Sequence, residues 1–273
     1  MGFVATRLRS RQARGGLVNS FPAGGGVSVF CAMFCAMFCA ILIMSLAASI
    51  ANAAEIGMVK SSEGNVDIRN LAAQRYPASV GVPVNTGDLV RTGEGAFAEI
   101  ALLDNSILQV TENASLVVDK FTLNEPVERH LSARFIKGAF RYTADALNLA
   151  TDKREIKLGA AVMGIRGTDF FAVLGNPSDQ GSGSGYTVGL ISGDVQMKLQ
   201  GKEIVLNKKN MVITATRGGQ FDPPVLLSNQ EMMALAQSFG FKLDLGPDEA
   251  IPPQPERCEN ARQIGGIKVC DVN

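Results

Sequence analysis

The chain has 273 residues, with 26 basic and 26 acidic side chains, a single histidine, five cysteines, 29 glycines and no tryptophan. Balanced charge excludes the basic footprint of a nucleic-acid binder. Abundant glycine with few aromatics describes a turn-rich protein with an aliphatic core, and the length suits one all-β domain with extensions.

Residues 1–26 hold Arg7, Arg9, Arg11 and Arg14 and no acid; Val27 to Ile50 is almost wholly apolar, and Ala51-Asn52-Ala53 is a small-x-small pattern. This is the layout of a secretory signal peptide over residues 1–53. Arginines ahead of an apolar stretch stay on the cytoplasmic side, so the remainder is expected to be exported to the periplasm. The apolar run exceeds the ~20 residues that cross a bilayer, which makes an uncleaved inner-membrane anchor the alternative. No arginine pair marks a folded-protein export signal, and no cysteine sits where a lipoprotein cleavage box would place it. Cys31, Cys35 and Cys39 fall inside the leader as small apolar filler. Removing the four leader arginines from 26 basic residues leaves 22 against 26 acids, a mildly acidic remainder.

Between Ile56 and Thr216 helical periodicity is hard to find, while alternation of polarity recurs in Val66–Arg69, Ala98–Leu102, Phe140–Tyr142, Val195–Leu199 and Ile204–Leu206. Residues 54–220 are therefore expected to form one all-β domain, an irregular β-roll or stacked hairpins of short strands. In Gly81 to Val110, three turns (Asn85-Thr86-Gly87-Asp88, Thr92-Gly93-Glu94-Gly95 and Asp104-Asn105-Ser106) separate short segments, as tightly turned antiparallel strands would. Gly64, Gly138 and Gly193 each precede one variable residue and an apolar-polar-apolar strand start. All three read as hairpin turns, because glycine takes positive φ without a Cβ clash. Their spacing is unequal, which argues against a solenoid of fixed period.

The wording of Gly81 to Val110, with G-D-x-V-x-T-G, an alternating strand and a D-N-S-x-L turn, resembles the FecR domain of Gram-negative envelope signalling proteins. A second block resembles that family's other signature: Ala160 to Val173, a small-residue strand running into Arg166-Gly167-Thr168-Asp169-Phe170. With Gly193-Asp194-Val195 the resemblance spans about residues 56 to 215. It implies a non-catalytic exported β-domain that senses or binds. In the best-known members this domain is the periplasmic half of a single-pass regulator whose cytoplasmic end restrains a sigma factor. The 26 residues ahead of the apolar segment here are too short for such an anti-sigma region.

Arg166 is expected to pair internally with a turn carboxylate such as Asp104 or Asp88, or to cap backbone carbonyls, in preference to binding an anion. Asp88, Asp104 and Asp194 read as turn residues whose carboxylates accept neighbouring amides. His130, before the strand Leu131 to Ile136, could in principle join a serine-histidine-carboxylate triad. No G-x-S-x-G elbow accompanies it, and a solvated histidine is the better expectation. Asp104, Glu112, Asp119 and Asp169 could converge as glycosidase carboxylates only through the fold, which spacing does not show. The glycine-serine run Gly181 to Gly185 lacks the lysine of a phosphate cradle and reads as a hairpin loop. One histidine and two tail cysteines cannot complete a zinc shell. No catalytic, cofactor-binding or metal-binding residue is assigned, and the chain is not expected to be an enzyme.

Residues 221–245 read as a linker at Asp222-Pro223-Pro224 and a short helix opened by a capping box, Ser228 with Glu231, and stopped by Gly240. Met232, Met233, Leu235, Ala236 and Phe239 give it an apolar face, expected to dock on the β-domain. Residues 246–273 read as a proline-rich spacer followed by a loop clipped by a Cys258–Cys270 disulfide, which an oxidising compartment permits. The functional expectation is a periplasmic sensory or protein-interaction module of envelope signalling, with another envelope protein as partner. The alternative is binding of cell-wall or exported polysaccharide, which the lack of tryptophan weakens; Tyr76, Tyr142, Tyr186 and the phenylalanines would have to serve as platforms.

Overall fold

The computed structural model describes residues 53–124, 128–144, 152–175, 185–247, 261–264 and 267–270. The signal segment up to residue 52, most of the Gly181 to Gly185 run, Pro252 to Pro255 and the Cys258 end of the expected disulfide lie outside the described residues.

Strands follow one another through most of the chain: β1 Glu55–Glu63, β2 Val66–Arg69, β3 Arg75–Pro77, β4 Pro83–Asn85, β5 Leu89–Thr92, β6 Phe97–Leu102, β7 Ile107–Val110 and β8 Ser115–Asn124. After these come β9 Glu128–Thr143, β10 Asp152–Leu158, β11 Ala161–Leu174, β12 Tyr186–Leu199, β13 Lys202–Leu206, β14 Met211–Ala215 and β15 Val225–Leu226. These fifteen are hydrogen-bonded into one sheet. One helix, α1 Asn229–Ser238, and a hairpin of β16 Ala261–Ile264 and β17 Ile267–Cys270 complete the described elements.

The expectation of short strands fails at three places, and those three organise the fold. Strand β9 has 16 residues and β11 and β12 have 14 each. The first part of β9 pairs with β8 and, in parallel, with β10. Past Gly138 the same strand pairs with β7 and β11. In the same way β11 changes neighbours around Gly167, from β10 to β9, and β12 changes around Gly193, from β14 to β13. The single sheet is thereby divided into two halves joined through these bent strands. Layer A runs β13-β12-β11-β10-β9-β8-β5-β2-β3, and layer B runs β15-β14-β12-β11-β9-β7-β6-β1-β4.

Glycine makes the bends possible. Gly64, Gly138, Gly167 and Gly193 have φ of 72°, 90°, 54° and 84°, values that side chains with a Cβ rarely adopt. A Cβ on Gly138 would stand 2.4 Å from that of Ala114, and one on Gly193 would stand 2.0 Å from the Gly167 carbonyl oxygen. The three sequence recurrences are thus corners where the chain leaves one layer for the other, and not the hairpin turns that the sequence predicts. Both uses need positive φ, so the local pattern is the same. Of the three turns in Gly81 to Val110, only Asp104 to Ser106 closes a hairpin, between β6 and β7. The other two carry the chain from β4 in layer B to β5 in layer A and back to β6.

Both layers contribute to one core. Val90, Leu116, Phe135, Ile156, Met163 and Met197 from layer A are buried with Ile100, Leu108, Phe140, Phe170, Val188 and Ile213 from layer B. Phe135 and Phe140 show how the bend acts. In an extended strand residues five apart lie about 16 Å apart on opposite faces, yet across Gly138 these rings stack with centroids 3.6 Å apart.

The helix forms as its capping box predicts. The Ser228 hydroxyl accepts from the Glu231 amide, the Glu231 carboxylate accepts from the Ser228 amide, and Gly240 turns the chain away at φ 87°. Its apolar face docks: Met232, Leu235 and Ala236 are buried with Phe171, Val212 and Val225 on the outer face of layer B. Part of the expected linker is itself structured, since Val225–Leu226 adds to layer B beside β14.

Candidate functional site

The outer face of layer B changes character along one row of cross-strand neighbours. The row runs Ser61, Glu99, Gln109, Arg141, Phe171, Gly189, Val212, Val225. Its second half is apolar and lies under α1. Gly189 has to lack a side chain, because a Cβ there would stand 2.4 Å from the Phe171 ring. That space lets Phe171 pack against Phe239 and Phe241, at centroid distances of 6.1 and 6.0 Å.

The first half is a connected polar array. The Lys60 ammonium lies 2.7 Å from Glu99, and the Gln109 amide donates to the same carboxylate at 2.9 Å. Arg141 donates twice to Asp169, from Nε to Oδ1 at 2.9 Å and from Nη2 to Oδ2 at 2.7 Å, and the Thr143 hydroxyl adds a third bond at 3.2 Å. Parallel double bonding of this kind fixes both orientation and charge. The Arg141 Nη1 also reaches the Lys242 carbonyl at 3.5 Å, tying the array to the segment that follows α1. Burial works to raise the Glu99 pKa, but the bonds from Gln109 and Lys60 and the charges of Lys60 and Arg141 outweigh it and hold the carboxyl below its ordinary value.

Alongside this array, at the end of α1, lies a groove of about 360 Å³. Ala139 and Val173 form its floor with Thr111. The β5–β6 turn forms one wall through Gly95, Ala96 and Phe97, and Ser238, Phe239 and Gly240 form the other. Glu112 accepts the Gly95 amide at 2.7 Å and so fixes that turn. At Gly138 the groove meets a second hollow of about 380 Å³, lined by Asn113, Lys137 and Leu174. The segment after α1 is itself fastened: the buried Asn229 amide donates to the Leu245 and Pro247 carbonyls at 3.2 and 3.0 Å, and its oxygen accepts from Asn210 at 2.8 Å.

The structure disperses the residues that the sequence singles out. Asp88 is a turn-former as expected, accepting the Asn85 amide at 2.9 Å. It also lies 3.5 Å from the Tyr76 hydroxyl, whose pKa rises through burial and through the charge and hydrogen bond of Asp88. Asp104 likewise accepts the Ser106 amide, at 3.1 Å. Its cationic partner is Arg154, 3.7 Å away with both side chains almost fully buried, and not Arg166, which is exposed beyond Ile165. At Asp194 the contact is made by the backbone carbonyl, which accepts from Thr168 at 2.9 Å.

The four carboxylates Asp104, Glu112, Asp119 and Asp169 do not converge. Each serves a different partner: Arg154, the Gly95 amide, Arg134 and Arg141. His130 lies half-buried between Thr122 and Lys153 in register. Among the described residues no group of three histidine, cysteine or acidic side chains is placed to hold a metal. Tyr142 and Tyr186 are buried in the core, which removes those two as sugar platforms, while Tyr76 is half-buried.

Residues 88–196 match the family model described as FecR protein. The chain carries a FecR domain. Its matched stretch runs from the β4–β5 turn into β12, and so includes the bends at Gly138, Gly167 and Gly193, the floor of the groove and the wall at Gly95 to Phe97. Two solved structures of a candidate anti-sigma factor from Parabacteroides distasonis ATCC 8503 are similar, with TM-scores of 0.44 and 0.43 and identities of 12% and 14%. Each similarity covers 55% of this chain and 64% of the other. A cell surface anchoring domain is similar over 22% of this chain and 80% of its own, with a TM-score of 0.22 and 23% identity. No curated protein matches the FecR-domain chain in sequence.

Proposed function

We propose that this FecR-domain protein is an exported, non-catalytic module of envelope signalling that binds a segment of another envelope protein in the groove of layer B. The groove itself carries the reading. Its floor is largely apolar, with Ala139 and Val173 beside Thr111, and its walls are two fixed elements, the Gly95 to Phe97 turn and the end of α1. Beside it runs a polar array whose charges are already oriented, so an entering peptide would meet both an apolar seat and defined hydrogen-bonding partners without reorganising the site. Family membership of residues 88–196 supports a signalling role. The arginine-led apolar leader supports export to the periplasm. In that compartment the Cys258–Cys270 bridge would clip the tail, and β17 brings Cys270 opposite Ala261, three residues after Cys258.

A photo-crosslinking residue placed at Phe97 in living cells tests the proposal, with the same residue at Ile136 on the outer face of layer A as the control. The expected result is a discrete crosslinked protein from position 97 that is absent from position 136 and lost when Ala139→Arg fills the groove. Crosslinking that is equal at both positions, or insensitive to that substitution, contradicts it. Sedimentation with purified cell wall is run beside it: saturable retention competed by soluble glycan would favour the polysaccharide alternative.

A further inference from the structure

The four edges of the folded sheet are not equally protected. An edge strand offers unpaired amides and carbonyls to any extended chain, and proteins usually blunt it. Edge strand β3 ends in Pro77 and has three residues; β4 begins with Pro83 and has three; β15 has two and follows Pro223-Pro224. Strand β13, Lys202–Leu206, has five residues and no proline, and among the described strands it pairs only with β12.

Its register says which groups face outward. The hairpin turns through Gln200 and Gly201, both at positive φ (51° and 77°), so Leu199 and Lys202 are the closing pair. In a two-residue hairpin that pair exchanges hydrogen bonds, and alternate positions then turn their backbone groups away. The amides and carbonyls of Glu203 and Val205 consequently point off the edge. Val205 also exposes 47% of its surface. Charge around this edge is one-sided: Glu203 is already engaged by Lys198 at 3.2 Å and by Gln196. Lys202, Lys208 and Lys209 are exposed and have no ion pair among the described residues.

We propose that β13 is a second docking site, taking an extended acidic segment of a partner protein as an added strand. Backbone bonds to Glu203 and Val205 hold the strand, an apolar residue covers Val205, and carboxylates face the three lysines. This is β-strand addition with charge selecting the sequence. The site lies on layer A and does not depend on the groove of layer B.

Val205→Pro tests it cleanly. Because the Val205 amide is not used within the sheet, the fold should survive, with Tm within about 3 °C of the parent, while the edge loses one of its two outward donors. Binding to the full-length protein is followed by fluorescence anisotropy with a labelled peptide of about ten residues alternating glutamate and valine, and with its lysine-valine counterpart. The expected result is binding of the acidic peptide about tenfold or more tighter than of the basic one. Val205→Pro should weaken it by a similar factor, and the double charge reversal Lys202→Glu with Lys209→Glu should reverse the preference. Equal binding of the two peptides, or no effect of Val205→Pro on a folded protein, overturns the proposal. So does a dimer of the protein alone that Val205→Pro dissolves, since the edge would then belong to a second copy.

Discussion

The two outer faces of this folded sheet share the three long strands β9, β11 and β12 and handle charge differently. On layer A, Arg134 meets Asp119 at 2.8 Å and Lys198 meets Glu203 at 3.2 Å, but these side chains are between 34% and 57% exposed. Ion pairs so placed contribute roughly 0–1 kcal/mol. On layer B, Arg141 meets Asp169 at 2.7 Å with side chains only 17% and 16% exposed. Here the segment after α1 contributes a carbonyl to the arginine and helps keep water out. The same chemical pair is a solvated ornament on one face and an ordered element on the other, and what separates them is the helix and its following segment. That ordered surface lies beside the groove proposed as the docking site on layer B.

Substitutions at the joint between the layers should have the largest effect. Gly138→Val forces a β-branched residue to φ 90° against Ala114, and is expected to cost about 3 kcal/mol or more, read as loss of cooperative unfolding by circular dichroism. Leu235→Ala removes a buried contact between α1 and layer B and should cost about 2–4 kcal/mol in denaturant titration. Val205→Ala, on the uncovered layer A, should stay within about 0.5 kcal/mol. A similar loss for both would erase the distinction between the faces.

Arg141→Lys sharpens the comparison on the polar side. It keeps the charge but loses the parallel pair of bonds, and a loss of about 1–2 kcal/mol is expected, against a change near zero for Arg134→Lys on layer A. Ser228→Ala removes the helix cap and should cost about 1 kcal/mol. The smallest effect is the pH response of Glu99. Its folded pKa lies below the ordinary carboxylate value, so the contribution is present above the unfolded value and is lost as pH falls through the folded one. Glu99→Gln should therefore flatten the stability profile below about pH 4.5 and leave the slope near neutrality unchanged.

Local features of this protein are legible in its sequence, and long-range ones are not. The alternation in Val66–Arg69, Ala98–Leu102 and Val195–Leu199 marks strands because one face of each is buried. Ser228, Glu231 and Gly240 bound the helix because capping is decided within a few residues. Gly64, Gly138 and Gly193 are legible as special backbone positions, but positive φ serves a hairpin and an interlayer corner alike. Choosing between these requires knowing the strands' partners. The Arg141–Asp169 pair spans 28 positions, and Asp104 finds Arg154 across the sandwich, so neither follows from spacing. The polar positions Glu99 and Gln109 in otherwise apolar strands, with Arg141 between Phe140 and Tyr142, were the available signal for the array, and they lacked only their register.

Hydrogen–deuterium exchange on the purified protein, with and without the partner recovered from the Phe97 crosslink, tests the central claim most directly. New protection is expected at Gly95 to Phe97, at Thr111 and at Ser238 to Gly240, with the outer face of layer A unchanged except at any strand added to β13. Protection confined to layer A, with the groove residues exchanging as before, would contradict it.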